Sequence, residues 1–171
     1  MIISLLGYMG SGKSHISKNL SQKINFKLID LDQKISQHHQ QTIPEIFQNK
    51  GEIFFRKEEK RILEEILDSN EDIILSLGGG TPVYYNNMET INAKSKSIFL
   101  RASVNTLTER VLLQKHTRPL ISKLENSDVP EFIAKHLFER NPYYSQAHFI
   151  VDTDSKNQNI ISEEIIKLLK I

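Results

Sequence analysis

Short apolar runs alternate along the chain with amphipathic stretches. Ile2–Leu6 is an apolar run of strand length, and from Lys13 to about Lys23 the helical spacing places Ile16, Leu20 and Ile24 on one face. Phe26–Leu31 reads as a second strand. Thr42-Ile43-Pro44-Glu45 has capping-box spacing with Pro in the first turn, which predicts a helix start. Gly51 interrupts that helix. A longer one is predicted from about Glu52 to Leu67, with Phe55, Ile62, Leu63 and Ile66 inward. Asp72–Leu77 and Ser97–Arg101 read as strands, and Tyr84–Ala93 and Val104–Gln114 as helices. Lys115–Asn126 shows little periodicity and carries Pro119, which suits a mobile loop. Ser127 and Asp128 precede Pro130 and a helix to about Ser145; His148–Val151 is the last strand and Ile160–Leu169 the last helix.

Strands this short and apolar, separated by helices, predict an α/β fold with a central five-stranded parallel sheet flanked by helices. Residues 1–171 show no repeat or linker and read as a single domain. Open sheets of this kind bind ligands at the carboxyl ends of their strands. Of only seven glycines, Gly7, Gly10 and Gly12 follow the first strand, and Gly78, Gly79 and Gly80 follow the third. Both clusters therefore fall on that edge, where backbone must approach something closely or simply turn tightly; the residues alone favour neither.

Composition mainly excludes. A formal net charge of +1 gives no general steering towards nucleic acid or a membrane surface. The absence of Cys excludes disulfides, thiolate metal sites and a cysteine nucleophile. No run approaches the roughly 18 apolar residues of a membrane span. Met1–Gly7 lacks the basic start and long apolar stretch of a signal peptide, so the expected address is the cytoplasm. Lys is the default cation here, so the few Arg positions are candidates for planar, two-pronged contacts.

Gly7-Tyr8-Met9-Gly10-Ser11-Gly12-Lys13-Ser14 matches the P-loop pattern in full, between a predicted strand and a predicted helix. Its glycines let successive N–H groups face one concavity, and the helix N-terminus adds positive potential. Lys13 is placed to reach the β- and γ-phosphates, and the Ser14 hydroxyl to ligate Mg²⁺. Nucleoside triphosphate binding follows. His15 is counted with this site, although it reads most simply as a helix-surface residue. The third strand ends without the acid of a Walker B strand, so the missing carboxylate is sought at Asp30-Leu31-Asp32. One carboxylate would assist the metal and the other accept a proton from a substrate hydroxyl. Asp32 also suits an N-cap before Gln33, and spacing leaves the two readings even.

Together these residues resemble shikimate kinase. The resemblance runs from the P-loop through Asp30-Leu31-Asp32, Gly51-Glu52-Ile53-Phe54-Phe55-Arg56, Leu75-Ser76-Leu77-Gly78-Gly79-Gly80 and Arg118-Pro119-Leu120 to Arg140-Asn141-Pro142-Tyr143-Tyr144. It implies a P-loop kinase fold and transfer of the ATP γ-phosphoryl group to the 3-hydroxyl of shikimate, with Mg²⁺, in aromatic amino acid biosynthesis. It assigns catalysis to Lys13, Asp32 and Arg118. The nucleotide falls to Gly10, Ser11, Gly12, Lys13, Ser14, His15, Arg110 and Arg118, with Arg110 against the adenine. Shikimate falls to Asp32, Arg56, Gly78, Gly79, Gly80 and Arg140, the two arginines taking its carboxylate. The metal falls to Ser14 and to Asp30 through water. A shikimate-binding segment spans about 32–62, and a mobile lid about 115–126. The family is often monomeric, and no exposed heptad or apolar stripe argues otherwise. Thr81 follows the glycine triple where many relatives carry Ala.

Glu59 stands three residues after Arg56 on one helix, where it either orients the guanidinium or forms a solvated pair of little value. His38, His39 and His116 match no metal spacing and read as solvent-facing. Tyr143 and Tyr144 read as packing or capping residues. Two other functions remain open at this point. A gluconate or nucleoside monophosphate kinase would share the P-loop, but the combined motifs disfavour it. An idle nucleotide-binding module would not need Lys13, Ser14, Asp30, Asp32 and Arg118 together.

Overall fold

The computed structural model describes residues 1–115 and 119–171. Strands β1 (Ile2–Leu6), β2 (Lys27–Asp30), β3 (Ile73–Ser76), β4 (Lys96–Arg101) and β5 (Phe149–Asp152) form one sheet in the order β2-β3-β1-β4-β5. All four pairings are parallel, with Leu5 opposite Ser76 and Leu6 opposite Phe99. The helices are α1 (Lys13–Ile24), α2 (Leu31–His39), α3 (Ile43–Leu67), α4 (Asn87–Lys94), α5 (Val104–Leu112), α6 (Pro119–Ser122), α7 (Val129–Tyr144) and α8 (Gln158–Leu169).

Alternation along β1 explains the layering. Ile3 and Leu5 point to a cluster with Ile16 and Leu20 of α1 and Ile161 and Ile165 of α8. Ile2 and Leu6 point to the larger cluster on the opposite face, with Leu63 of α3, Ile91 of α4 and Ile133 of α7. A strand covered on both sides has no place for polar alternation, which is why Ile2–Leu6 is almost wholly apolar.

The capping box forms as predicted: the Glu45 N–H donates to Thr42 Oγ1, and the Thr42 N–H to Glu45 Oε2 at 2.7 Å. Gly51, at φ 81°, breaks α3 into two helical arms as expected. Three expectations are corrected. β2 stops at Asp30, and Asp30 rather than Asp32 caps α2, its Oδ1 accepting the Gln33 N–H at 3.1 Å. Asp32 lies within the first turn instead, because the fully buried Leu31 is already helical. Second, α4 begins at Asn87, since Thr81–Val83 forms a 3₁₀ turn. Third, the stretch read as a loop without periodicity contains the short helix α6, with Ile121 fully buried and Leu124 packed against the same core.

Among the described residues no helix is long and apolar enough to cross a membrane.

Candidate active site

β1 and β3 are neighbours, so the loops leaving their carboxyl ends lie side by side. Between them opens a cavity of about 620 Å³. The P-loop forms one wall. Gly10 and Gly12 adopt φ of 82° and 95°, the left-handed conformations that build a concave row of N–H groups. The Lys13 ammonium donates to the carbonyls of Gly7 at 2.7 Å and Tyr8 at 3.0 Å. Ser14 and His15 are exposed on the same wall, so His15 is both a helix-surface residue and a cavity residue.

The opposite wall is organised by the glycine triple. Each glycine has a functional side chain where its own Cβ would go. Asp32 Oδ1 is 2.9 Å from the Cβ position of Gly78, Arg140 Nη1 is 3.4 Å from that of Gly79, and Arg56 Nη2 is 2.8 Å from that of Gly80. The triple is a tight turn, with the Thr81 N–H donating to Gly78 O, and also a close approach. The two readings that the sequence left level both hold. Asp32, Arg56 and Arg140 come from α2, α3 and α7, and this turn brings them together.

The electrostatics of the three side chains differ. Burial pushes the Asp32 carboxyl up to about 6, and the charges of Asp30 and Glu59 add to that; Lys13 and Arg56 pull it down without winning. Burial works against the Arg56 charge, but Glu59, hydrogen-bonded to it, holds its pKa above the ordinary value. Glu59 is only 1% exposed, and its Oε2 accepts from Arg56 Nη1 at 2.8 Å. This overturns the solvated-pair reading in favour of orientation. Arg140 stacks over the Tyr8 ring at 5.4 Å, and Tyr8 pairs with His136 Nδ1 at 3.0 Å, tying α7 to the P-loop. Tyr144 is fully buried and donates to Gly79 O, so it holds the glycine turn as well as packing. Burial pushes its hydroxyl up to about 12, which keeps it a donor across the physiological range.

Every residue assigned from sequence lines this cavity except Arg118, which lies outside the described residues, as does His116. Arg110 lines the cavity while donating to Gly10 O at 3.2 Å and Thr153 O at 3.1 Å. Lys156, in the β5–α8 connection, and Gln158, which begins α8, also line it and were missed. Their signal was position: that connection leaves the same carboxyl edge as the two glycine clusters.

Ser14 and Asp30 are hard oxygen donors on the cavity wall, a set that suits Mg²⁺ with most of its shell left to water and phosphate. The Asp30 cap bond occupies Oδ1. A second cluster does not suit a metal. His38, His39 and Glu58 bring ligand atoms within 4.8 Å of one another, but Arg61 donates to both Glu58 oxygens and lies 3.0 Å from His38 Nε2. A guanidinium already supplies the positive charge there. His39, bonded to Glu58 at 3.0 Å with its side chain 11% exposed, is not solvent-facing as expected; His38 is.

The family model for shikimate kinase matches residues 9–170. Shikimate kinase of Flavobacterium psychrophilum is 45% identical over 168 residues, covering 98% of this chain and 98% of its own. The crystal structure of shikimate kinase from Bacteroides thetaiotaomicron is similar at a TM-score of 0.93 and 33% identity, covering 100% of this chain and 99% of that one. Shikimate kinase from Acinetobacter baumannii in complex with shikimate is similar at 0.89 and 27%, covering 99% and 92%.

Proposed function

The chain belongs to the shikimate kinase family and phosphorylates shikimate with ATP, and on that footing we propose how its residues divide the work. The P-loop N–H groups and Lys13 hold the β- and γ-phosphates. Arg56 and Arg140 grip the shikimate carboxylate, each guanidinium offering paired donors. Asp32 orients the 3-hydroxyl and takes its proton as that oxygen bonds to the γ-phosphorus and ADP leaves. A carboxyl near pKa 6 suits the task, since it is ionised at neutral pH yet basic enough to accept a proton. Mg²⁺, held by Ser14 and through water by Asp30, would supply charge neutralisation on the phosphates. Arg118 is assigned to the phosphates from its motif, within a lid over about 115–126.

The observation that carries this reading is the packing of Asp32, Arg140 and Arg56 against three successive glycines, beside the P-loop. Phosphoryl transfer asks mainly for positioning, and side chains packed in this way beside the P-loop support the roles of carboxylate fork and proton acceptor. A formal net charge of +1 supports action on small molecules rather than on nucleic acid or membrane, and the family resemblance supports a cytoplasmic monomer. The test is coupled ADP release with shikimate, gluconate and nucleoside monophosphates as rival acceptors. Turnover is expected with shikimate alone and only with Mg²⁺ present. Equal kcat/KM for gluconate, which also carries a carboxylate, would leave the clamp standing and overturn the selectivity for shikimate; full activity in EDTA would remove the metal assignment.

A further inference from the structure

The Arg56 guanidinium is held by residues that touch neither nucleotide nor acceptor in the reading above. Two of them, Thr81 and Tyr84, come from the 3₁₀ turn after the glycine triple and the residue that ends it.

Thr81 acts on Glu59. Its hydroxyl donates to Glu59 Oε1 at 2.7 Å, while Arg56 Nη1 donates to Oε2 at 2.8 Å. Each carboxylate oxygen thus has its own donor, and the side chain cannot rotate without losing one. Thr81 is itself fully buried, and its carbonyl accepts from Asn87 Nδ2 at 2.9 Å. The relay is therefore anchored on α4 at one end and ends on the guanidinium at the other. Glu59 is too buried for water to replace a missing donor.

Tyr84 acts on the face of the guanidinium. Arg56 Cζ lies 3.9 Å from the Tyr84 ring centroid, the shortest of its three aromatic contacts. The Tyr84 hydroxyl donates to Glu52 Oε1 at 2.7 Å, and the same oxygen lies 3.5 Å from Arg56 Nε. The ring lies over the cation, and Glu52 stands beside Nε, which is buried and makes no hydrogen bond among the described residues. Nη2 packs against Gly80, and Arg56 lines the cavity there. A long side chain with several rotatable bonds is thereby reduced to one orientation before any ligand binds.

We propose that Thr81 and Tyr84 are positioning residues that preset Arg56 for the acceptor carboxylate, Thr81 through Glu59 and Tyr84 by stacking. The inference rests on the assignment of Arg56 to the shikimate carboxylate. It makes acceptor affinity depend on a turn that carries no acceptor ligand.

The test is steady-state kinetics of Thr81→Val, Thr81→Ala, Thr81→Ser, Tyr84→Leu and Tyr84→Phe in the full chain, with Thr81→Ala also built on Arg56→Ala. Removing the donor to a buried carboxylate should raise the shikimate KM roughly 5- to 30-fold in Thr81→Val and Thr81→Ala. Tyr84→Leu should raise it by roughly 3- to 10-fold through the lost stack. The ATP KM and kcat should stay within about twofold, and Thr81→Ser and Tyr84→Phe should stay near wild type, because each keeps the contact in question. On the Arg56→Ala background Thr81→Ala should add nothing further, a result that a merely structural role would not give. A wild-type shikimate KM in Thr81→Ala, an equal rise in both KM values, or the same rise without Arg56 would overturn the proposal. If Arg56→Ala itself leaves the shikimate KM unchanged, the carboxylate assignment fails and takes this inference with it. If Arg56→Ala raises the KM and Thr81→Ala does not, only the inference fails.

Discussion

On the wall we assign to phosphate, residues 7–14 are consecutive, and the groups proposed for recognition are backbone N–H groups joined by one ammonium. On the wall we assign to the acceptor, Asp32, Arg56 and Arg140 come from three helices, and the groups proposed for recognition are side chains. The first wall is made rigid by its own backbone conformation. The second is rigid only because neighbours prop it: Glu59 and Tyr84 for Arg56, Tyr8 for Arg140, and the glycine triple beneath all three. A substitution on the phosphate wall should therefore act on the residue changed, whereas on the acceptor wall its effect should spread along the props.

The largest effect expected is that of Lys13→Ala. It removes the one charged side chain of residues 7–14, and ADP release should fall below detection. Calorimetric shikimate affinity should stay within about twofold, since the acceptor wall is built elsewhere. A matching loss of shikimate affinity would break the separation between the two walls.

Asp32→Asn comes next. Loss of the proton acceptor should lower kcat by roughly 10²–10⁴-fold with ATP affinity almost unchanged. The same residue sets a pH dependence. Its pKa is raised to about 6 and its active form is ionised, so wild-type kcat/KM for shikimate should fall as pH drops through about 6. Asp30→Asn removes a negative charge that raises that pKa, so the acid limb should move to lower pH. An acid limb that stays in place in Asp32→Asn would assign it to another group.

Arg140→Ala should weaken shikimate binding by about 2–5 kcal/mol, the range for truncating one side of a buried charged pair. Arg140→Lys should recover only part of this, because an ammonium lacks the fork. Tyr8 sits under Arg140 while belonging to the P-loop, so it is where the two walls touch. If Arg140→Ala also raised the ATP KM to a similar degree, the props would be shared and the contrast would weaken.

The same contrast explains what the sequence revealed. The phosphate wall was legible because a P-loop is local: strand, glycine spacing, Lys13 and helix start all fall within one short window. The layering of the sheet was legible for the same reason, since Ile2–Leu6 carries its two-sided burial in its own composition. On the acceptor wall, Arg56 and Arg140 were reached through a family resemblance, and of what holds them only Glu59 was named, as one of two open readings. That Glu59 is buried depends on Thr81, 22 residues away. That Asp30 and not Asp32 caps α2 depends on the burial of Leu31, because spacing makes both carboxylates competent. His39 looked solvent-facing because its partner, Glu58, stands on another helix.

The smallest effect expected lies on the phosphate wall, where a side chain does act as a prop. Arg110 Nη1 donates to Gly10 O at 3.2 Å and Thr153 Oγ1 at 3.3 Å, and Nη2 donates to Thr153 O at 3.1 Å. It thus links the P-loop backbone to the end of β5, on the side of the cavity where Lys156 and Gln158 enter. Two of these three partners are carbonyls, each worth about 1.5–3 kcal/mol to a charged donor when fully buried. The site is open to solvent and water can take over much of that, so the net loss should be a fraction of it. Arg110→Ala should therefore raise the ATP KM by roughly 3- to 10-fold. It should leave the shikimate KM and the acid limb near pH 6 where they are, because no contact of Arg110 reaches α2, α3 or the glycine triple. Steady-state kinetics with each substrate varied in turn would check this. An Arg110→Ala enzyme with a normal ATP KM would show that the P-loop needs no outside support. One whose shikimate KM rose as well would mean that props on the phosphate side reach the acceptor wall, and that the two walls are one mechanical unit.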